Sequence, residues 1–314
     1  MLRNHCERCL DLANPDSDYS IKEMDTLTSK VQYSNFEKGE FTNIAPRTFE
    51  EVKQQIIDYP WQEQRHGASV ELTCPSVTIE QNYDSFLKLG PYFNGKFCLY
   101  LCENHQVYDK VCTTLEDSFD IIYNYFLDNN IRHEFEKSTS LSNPTGHFAT
   151  GTFEYKVDRE RVLWFLSFPV LVIFLPFLML IIGLLLFSSH APNLTGLGFL
   201  VLLMFIIGGG NLYLFFNYYR RCKNQVISIS KGSNTFYFGE GDDYRVYNKK
   251  DISEIRLYEY QNTRSAWTDY NVYEIDFENG EQLRFPSLLL KNSLFRKKFL
   301  EHRIHSKNRV FPTM

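Results

Sequence analysis

Val162–Phe187 reads VLWFLSFPVLVIFLPFLMLIIGLLLF, and Thr195–Phe216 reads TGLGFLVLLMFIIGGGNLYLFF. Neither stretch contains Asp, Glu, Lys, Arg or His. About 20 apolar residues cross a hydrocarbon layer of ~30 Å as a helix, and each run supplies them. The apolar residues do not alternate, so a helix rather than a barrel strand satisfies the backbone in lipid. Between the runs, Ser188-Ser189-His190-Ala191-Pro192-Asn193 is polar and turn-forming. The expectation is a two-helix transmembrane hairpin over 162–219, with helices at 162–187 and 195–217. The N-terminus, MLRNHCERCL, has no apolar h-region, so a signal peptide is not expected.

Lys and Arg near helix ends set orientation. Arg159 and Arg161 precede the first run, Arg220, Arg221 and Lys223 follow the second, and the connecting loop has neither residue type. Both termini are therefore expected in the cytoplasm, with the chain integral to a membrane. Pro169 and Pro176 should bend the first helix. Gly183, Gly196, Gly198 and Gly208-Gly209-Gly210 suit close helix packing. With no ionisable side chain inside either run, a proton or ion pathway is disfavoured, leaving an oligomeric channel subunit as a minor alternative.

Outward from the hairpin the charge is uneven. Residues 1–160 carry 15 Lys/Arg and 26 Asp/Glu, whereas residues 161–314 carry 18 and 12, so the two parts should meet different partners. The overall charge of -5 argues against a nucleic-acid partner.

Residues 1–45 are polar and without sustained periodicity, and read as a loosely ordered extension. Residues 46–158 read as an acidic α+β domain. Thr48-Phe49-Glu50-Glu51 is a capping box for a short helix. Strands are expected at Ser69–Thr73, Ser76–Glu80, Phe86–Leu89, Phe97–Cys102 and Val107–Val111, with Asn94-Gly95 as a hairpin turn. Leu115, Phe119, Ile122, Tyr123 and Phe126 recur at helical spacing. Extended runs at Arg132–Lys137 and Phe148–Val157 then lead into the hairpin.

Residues 224–314 alternate in short strands: Val226–Ser230, Thr235–Phe238, Tyr244–Tyr247, Glu254–Tyr260, Val272–Phe277 and Gln282–Phe285. Glu278-Asn279-Gly280-Glu281 is a hairpin turn, and a last helix is expected from about Ser287 to Ile304. The segment from Lys249-Lys250-Asp251-Ile252 through Ile255, then Tyr273-Glu274-Ile275-Asp276-Phe277-Glu278-Asn279-Gly280 and the final helix, resembles bacterial pleckstrin-homology-like domains. Such domains often follow a membrane hairpin. The resemblance implies a seven-stranded barrel, against six strands legible here, and a binding or scaffolding role without catalytic residues. The whole is expected to be an α+β membrane protein: an N-terminal α+β domain, a hairpin, and a pleckstrin-homology-like antiparallel barrel with a terminal helix.

Chemistry-bearing motifs are sparse. Cys6-x-x-Cys9 beside His5 is half a zinc pattern without its second half, so no metal is expected. No phosphate-binding, dinucleotide-binding, zinc-protease or nucleophile-elbow motif is present, so neither an enzyme nor a cofactor is expected. Arg220, Arg221, Lys223, Lys291, Arg296, Lys297 and Lys298 are expected to form a basic surface on anionic lipid headgroups. The acidic N-terminal domain suits a basic protein partner, with Trp61, Tyr83 and Tyr92 as aromatic anchors. The reading is a non-enzymatic, membrane-held binding or scaffolding module, with self-association as a further role. An immunity protein neutralising a toxin at the membrane is its rival.

Overall fold

The computed structural model describes residues 26–65, 75–128, 130–138, 145–186, 194–241, 243–260 and 267–314. The chain divides into two units, and the second includes Gln32–Phe41 as well as Ala149–Met314.

In the first unit, β1 (Leu27–Gln32) pairs antiparallel with β2 (Thr42–Arg47). Strand structure thus begins well inside the expected loose extension of residues 1–45. LTSKVQ hides as a strand because it buries Ser29 and Lys30 beside Leu27 and Val31. Helix α1 (Phe49–Asp58) opens with the expected box: Thr48 accepts from Glu51 N, and the Glu51 carboxylate accepts from Thr48 N at 2.8 Å. A short α2 (Trp61–Arg65) follows. Four strands then form a meander: β3 (Ser76–Asn82), β4 (Ser85–Pro91), β5 (Phe97–Glu103) and β6 (Gln106–Cys112). Helix α3 (Phe119–Phe126) and a two-residue β7 (Glu136–Lys137) complete the unit. Sheet order is β2-β1-β3-β4-β5-β6-β7. The expected strand at Ser69–Thr73 lies outside the described residues.

Register sorts the two faces of this sheet. Val77 pairs with Leu89, and Leu89 with Leu99; Ile79 pairs with Leu87, and Leu87 with Leu101. All six are buried, as are Val52 and Ile56 of α1 and Ile122 of α3. Phe49 joins the helices, its ring 5.1 Å from Tyr123 and 5.9 Å from Phe126. The opposite face mixes buried apolar and polar residues: beside Phe86 and Cys102, Lys30 is buried on Glu80 at 3.0 Å and Lys88 against His147 O at 3.3 Å.

The second unit holds β8 (Glu154–Lys156), two long helices α4 (Arg159–Leu186) and α5 (Leu194–Cys222), and then β9 (Gln225–Ser228). Next come β10 (Thr235–Glu240), β11 (Asp243–Asn248), β12 (Ile252–Glu259), β13 (Val272–Phe277) and β14 (Gln282–Pro286). Helix α6 (Asn292–Lys298) and β15 (Ile304–Asn308) close the chain. One sheet has the order β11-β10-β9-β8, the other β14-β13-β12-β15.

Tyr155 of β8 pairs with Ile227 of β9 across the whole helix pair. This strand belongs to the second unit, not to a lead-in segment of an N-terminal domain ending at 158. It raises the strands before α6 to seven, and the helices are an insertion between the first and second. Helix α6 is shorter than expected from Ser287–Ile304. Leu288, Leu289 and Leu290 are all buried, which one helix face cannot achieve, and Ile304–Asn308 instead pairs parallel with β12. The core between the sheets is aromatic, with Phe236, Tyr273, Phe285, Phe295 and Phe299. Tyr273 stacks on Phe295 at 3.9 Å and 13°.

Among the described residues, Leu202–Cys222 is the one stretch of helix long and apolar enough to cross a membrane. Rather than one closed antiparallel barrel, the strands form two four-stranded sheets, and the roots of both helices pack on them through Phe165, Leu214, Phe215 and Tyr218 against Tyr258, Tyr270, Val272 and Leu288.

Candidate binding site

Antiparallel strands joined in series alternate direction, so the β9–β10 turn lies at the end of its sheet opposite the helix insertion. Its sequence, Ser230-Lys231-Gly232-Ser233-Asn234, is turn-forming, and the Ser233 hydroxyl folds forward onto Thr235, accepting from its N–H at 3.2 Å. Three successive backbone N–H groups of this turn point at carboxylates. Lys231 N donates to Glu37 Oε1 at 3.1 Å; Gly232 N and Ser233 N donate to Glu40 Oε1, each at 2.9 Å. Consecutive amides converging in this way make an anion-binding concavity.

Two buried lysines complete the site. Lys298, on the last turn of α6, is fully buried and ion-paired to Glu37, with Phe153 and Tyr155 rings 4.8 and 5.3 Å from its ammonium. Lys297 reaches the other Glu37 oxygen at 3.1 Å. Lys249 donates to the carbonyls of Ser230 at 2.7 Å and Lys231 at 3.1 Å. Burial opposes charge on Glu37, but the hydrogen bonds and charges of Lys298 and Lys297 outweigh it and hold the carboxyl below its usual range. On Lys249 burial wins: despite Glu40 nearby, its pKa falls to about 8. Beside the carboxylates a cavity of about 220 Å³ remains, lined by Asn35, Lys231, Asn234, Lys249, Lys250 and His302.

The acidic segment is itself built for this position. Phe36 N donates to Tyr33 O and Glu40 N to Glu37 O, two tight turns in succession. Gly39 has φ +77°, and Gly151 N donates to its carbonyl at 2.7 Å. A Cβ on Gly39 would stand 3.0 Å from that nitrogen, so this position needs glycine. Gly232 meets the Phe36 ring so closely that any Cβ would collide with it.

The expected basic surface is not assembled as one patch. Lys298 turns inward to Glu37, the half-exposed Lys297 reaches the same carboxylate from the surface, and Arg296 pairs with Glu259 at 3.4 Å. Arg220, Arg221, Lys223 and Lys291 are exposed near the helix roots and at the start of α6. Of the expected aromatic anchors, Trp61 is a core residue. It is 7% exposed, lies 4.3 Å from Tyr59 and 5.2 Å from Phe97, and donates to Ile56 O at 2.8 Å. Tyr83 is exposed at the β3–β4 turn, and Tyr92 is half-buried against Phe93. Cys6, Cys9 and His5 lie outside the described residues, among which no cluster fit to hold a metal occurs. Glu37, Glu40, Lys231 and Lys249 escaped the sequence reading because nearly 200 residues separate the acids from the turn.

A second, apolar hollow of about 410 Å³ lies at the helix roots, lined by Trp164, Phe168, Leu171, Asn211, Asp269 and Tyr270.

Residues 154–298 match the PH domain family model. The match begins on the first residue of β8 and ends on the last of α6, so it takes in the helix pair as an insertion. The C-terminal region is therefore a PH-like domain within a mixed α+β chain, and a binding role is what such domains commonly serve. No curated protein matches this chain.

Proposed function

We propose that the chain is a two-pass membrane protein whose PH-like domain acts as a non-enzymatic binding or scaffolding module at the cytoplasmic face. The observation that carries this reading is the outer surface of α4 and α5. Phe174, Leu178, Phe199, Phe205 and Ile206 all stand exposed, with Phe199 at 70%. Contiguous apolar surface of this extent is the signature of a lipid or protein contact, and helices of 28 and 29 residues span about 42 Å, enough to cross with some tilt. Arg159, Arg161, Arg220, Arg221 and Lys223 all flank the roots of the pair, a charge bias that supports a cytoplasmic position for the PH-like domain. There the exposed Arg220, Arg221 and Lys223 face anionic headgroups.

The experiment is a topology map of the full chain. Reporters fused at either terminus should be active only as cytoplasmic reporters, and the protein should stay in the membrane pellet after an alkaline wash. A chain recovered in the supernatant, or a terminus on the far side, refutes the reading.

A further inference from the structure

We propose that the β9–β10 turn, with Lys249, Lys297 and Lys298, is a receptor for an acidic peptide turn, occupied in this structure by the chain's own Phe36–Glu40. The inference rests on the PH-like domain, not on its attachment to a membrane.

Three observations separate this arrangement from an ordinary buried ion pair. The donors are consecutive backbone amides, which recognise a carboxylate at any chain position able to reach them. All of their acceptors come from one short stretch, Glu37 and Glu40, which also donates Glu37 N to Glu40 Oε2 at 2.9 Å. This stretch is a double turn rather than a strand, and besides its carboxylates it is held by Gln32 Nε2 on Glu37 O at 3.0 Å and Gly151 N on Gly39 O at 2.7 Å. The Phe36 ring fills the space above Gly232, and the 220 Å³ cavity beside it leaves room for a ligand bulkier than the resident one. Its wall carries Lys231, Lys249, Lys250 and Lys298 against one acid, Glu301, a surplus of positive charge. The ligand class follows from the resident: an aromatic residue followed by two acids three positions apart, in a turn.

Two variants vacate the site by different means. E37Q/E40Q removes the charges but keeps the shape, and G232A expels the Phe36 ring but keeps the charges. The probe is a labelled peptide of Tyr33–Thr42 for the first variant, and the same peptide with Ala in place of Phe36 for the second. Binding is measured on the full chain in detergent.

Each vacated protein should bind its acidic peptide at least tenfold more tightly than the wild type does. A control peptide with Gln at both acidic positions should bind none of them. Equal binding of the Glu and Gln peptides overturns the proposal, as do vacated proteins that bind neither and a wild type that binds as well as the variants. Loss of the thermal transition in both variants also overturns it, since the segment would then be a structural strut. Peptide binding is read out whether or not the chain partitions into membranes, so failure of the topology map leaves this result standing.

Discussion

The Arg161 guanidinium donates to the Leu289 carbonyl at 2.5 Å and to the Ser287 carbonyl at 3.0 Å. Arg161 stands in the first turn of α4, where its own N–H is held by Asp158 Oδ1 at 2.7 Å. Leu289 lies in the buried turn after β14. One side chain thus ties the root of the inserted helices to the far end of the domain's sequence, and makes the insertion part of its core.

Replacing Arg161 with Met leaves two buried carbonyls without a donor. Charged hydrogen bonds of this kind contribute about 1.5–3 kcal/mol each, not additively. R161M should therefore lower unfolding stability by about 2–4 kcal/mol in a denaturant titration in detergent. R161K, with a point charge in place of the fork, should fall between the two.

Trp61 and Tyr83 should separate cleanly. W61A removes a buried ring and its bond to Ile56, at a cost of about 3–5 kcal/mol. Y83A alters a side chain that is 80% exposed and should stay within about 0.5 kcal/mol of wild type. Thermal melts of the two variants test the assignment of Trp61 to the core. Equal, small effects would return it to the surface.

What the sequence made legible was local. The Thr48–Glu51 box, the Asn94-Gly95 turn (φ +54° and +79°) and the Gly280 turn (φ +82°) each announce themselves within four residues. The strands β3 to β6 are short apolar-rich runs separated by tight turns, so their partners are their neighbours in sequence. What stayed hidden depends on distant partners. β1 buries Lys30, a cost offset in part by its ion pair with Glu80, 50 residues on. β8 has three residues, and its partner lies beyond both long helices. β15 pairs parallel with β12 across two other strands and α6. The binding site is the extreme case, since neither the acids nor the turn has meaning without the other.

Substitutions on the exposed faces of α4 and α5 test whether the pair sits in a membrane or forms an exposed helical arm. F174K and F205K each place an ammonium on an outward position of the pair. In a bilayer centre this costs about 2.5–3.5 kcal/mol per residue, so the double variant should leave the membrane fraction or be degraded. In water the same change would raise solubility. Western blots of membrane and soluble fractions decide between the two.

The β9–β10 end of the domain should also show itself as two opposed pH dependences. Lys249 releases its proton at about 8 when folded and at 10.5 when unfolded. Between those values the unfolded chain binds the extra proton, so folding gains stability as pH rises, and below about 8 this gain is absent. Glu37 has the opposite character: its folded pKa lies below 4.5, so its contribution is present above 4.5 and is lost as pH falls through the lower value. Melts of wild type, K249M and E37Q from pH 3 to 10 isolate each group by difference. The wild-type advantage over K249M should grow above pH 8, and that over E37Q should shrink as pH falls below 4.5. A flat difference for K249M would mean that its ammonium is solvated rather than held on the Ser230 and Lys231 carbonyls.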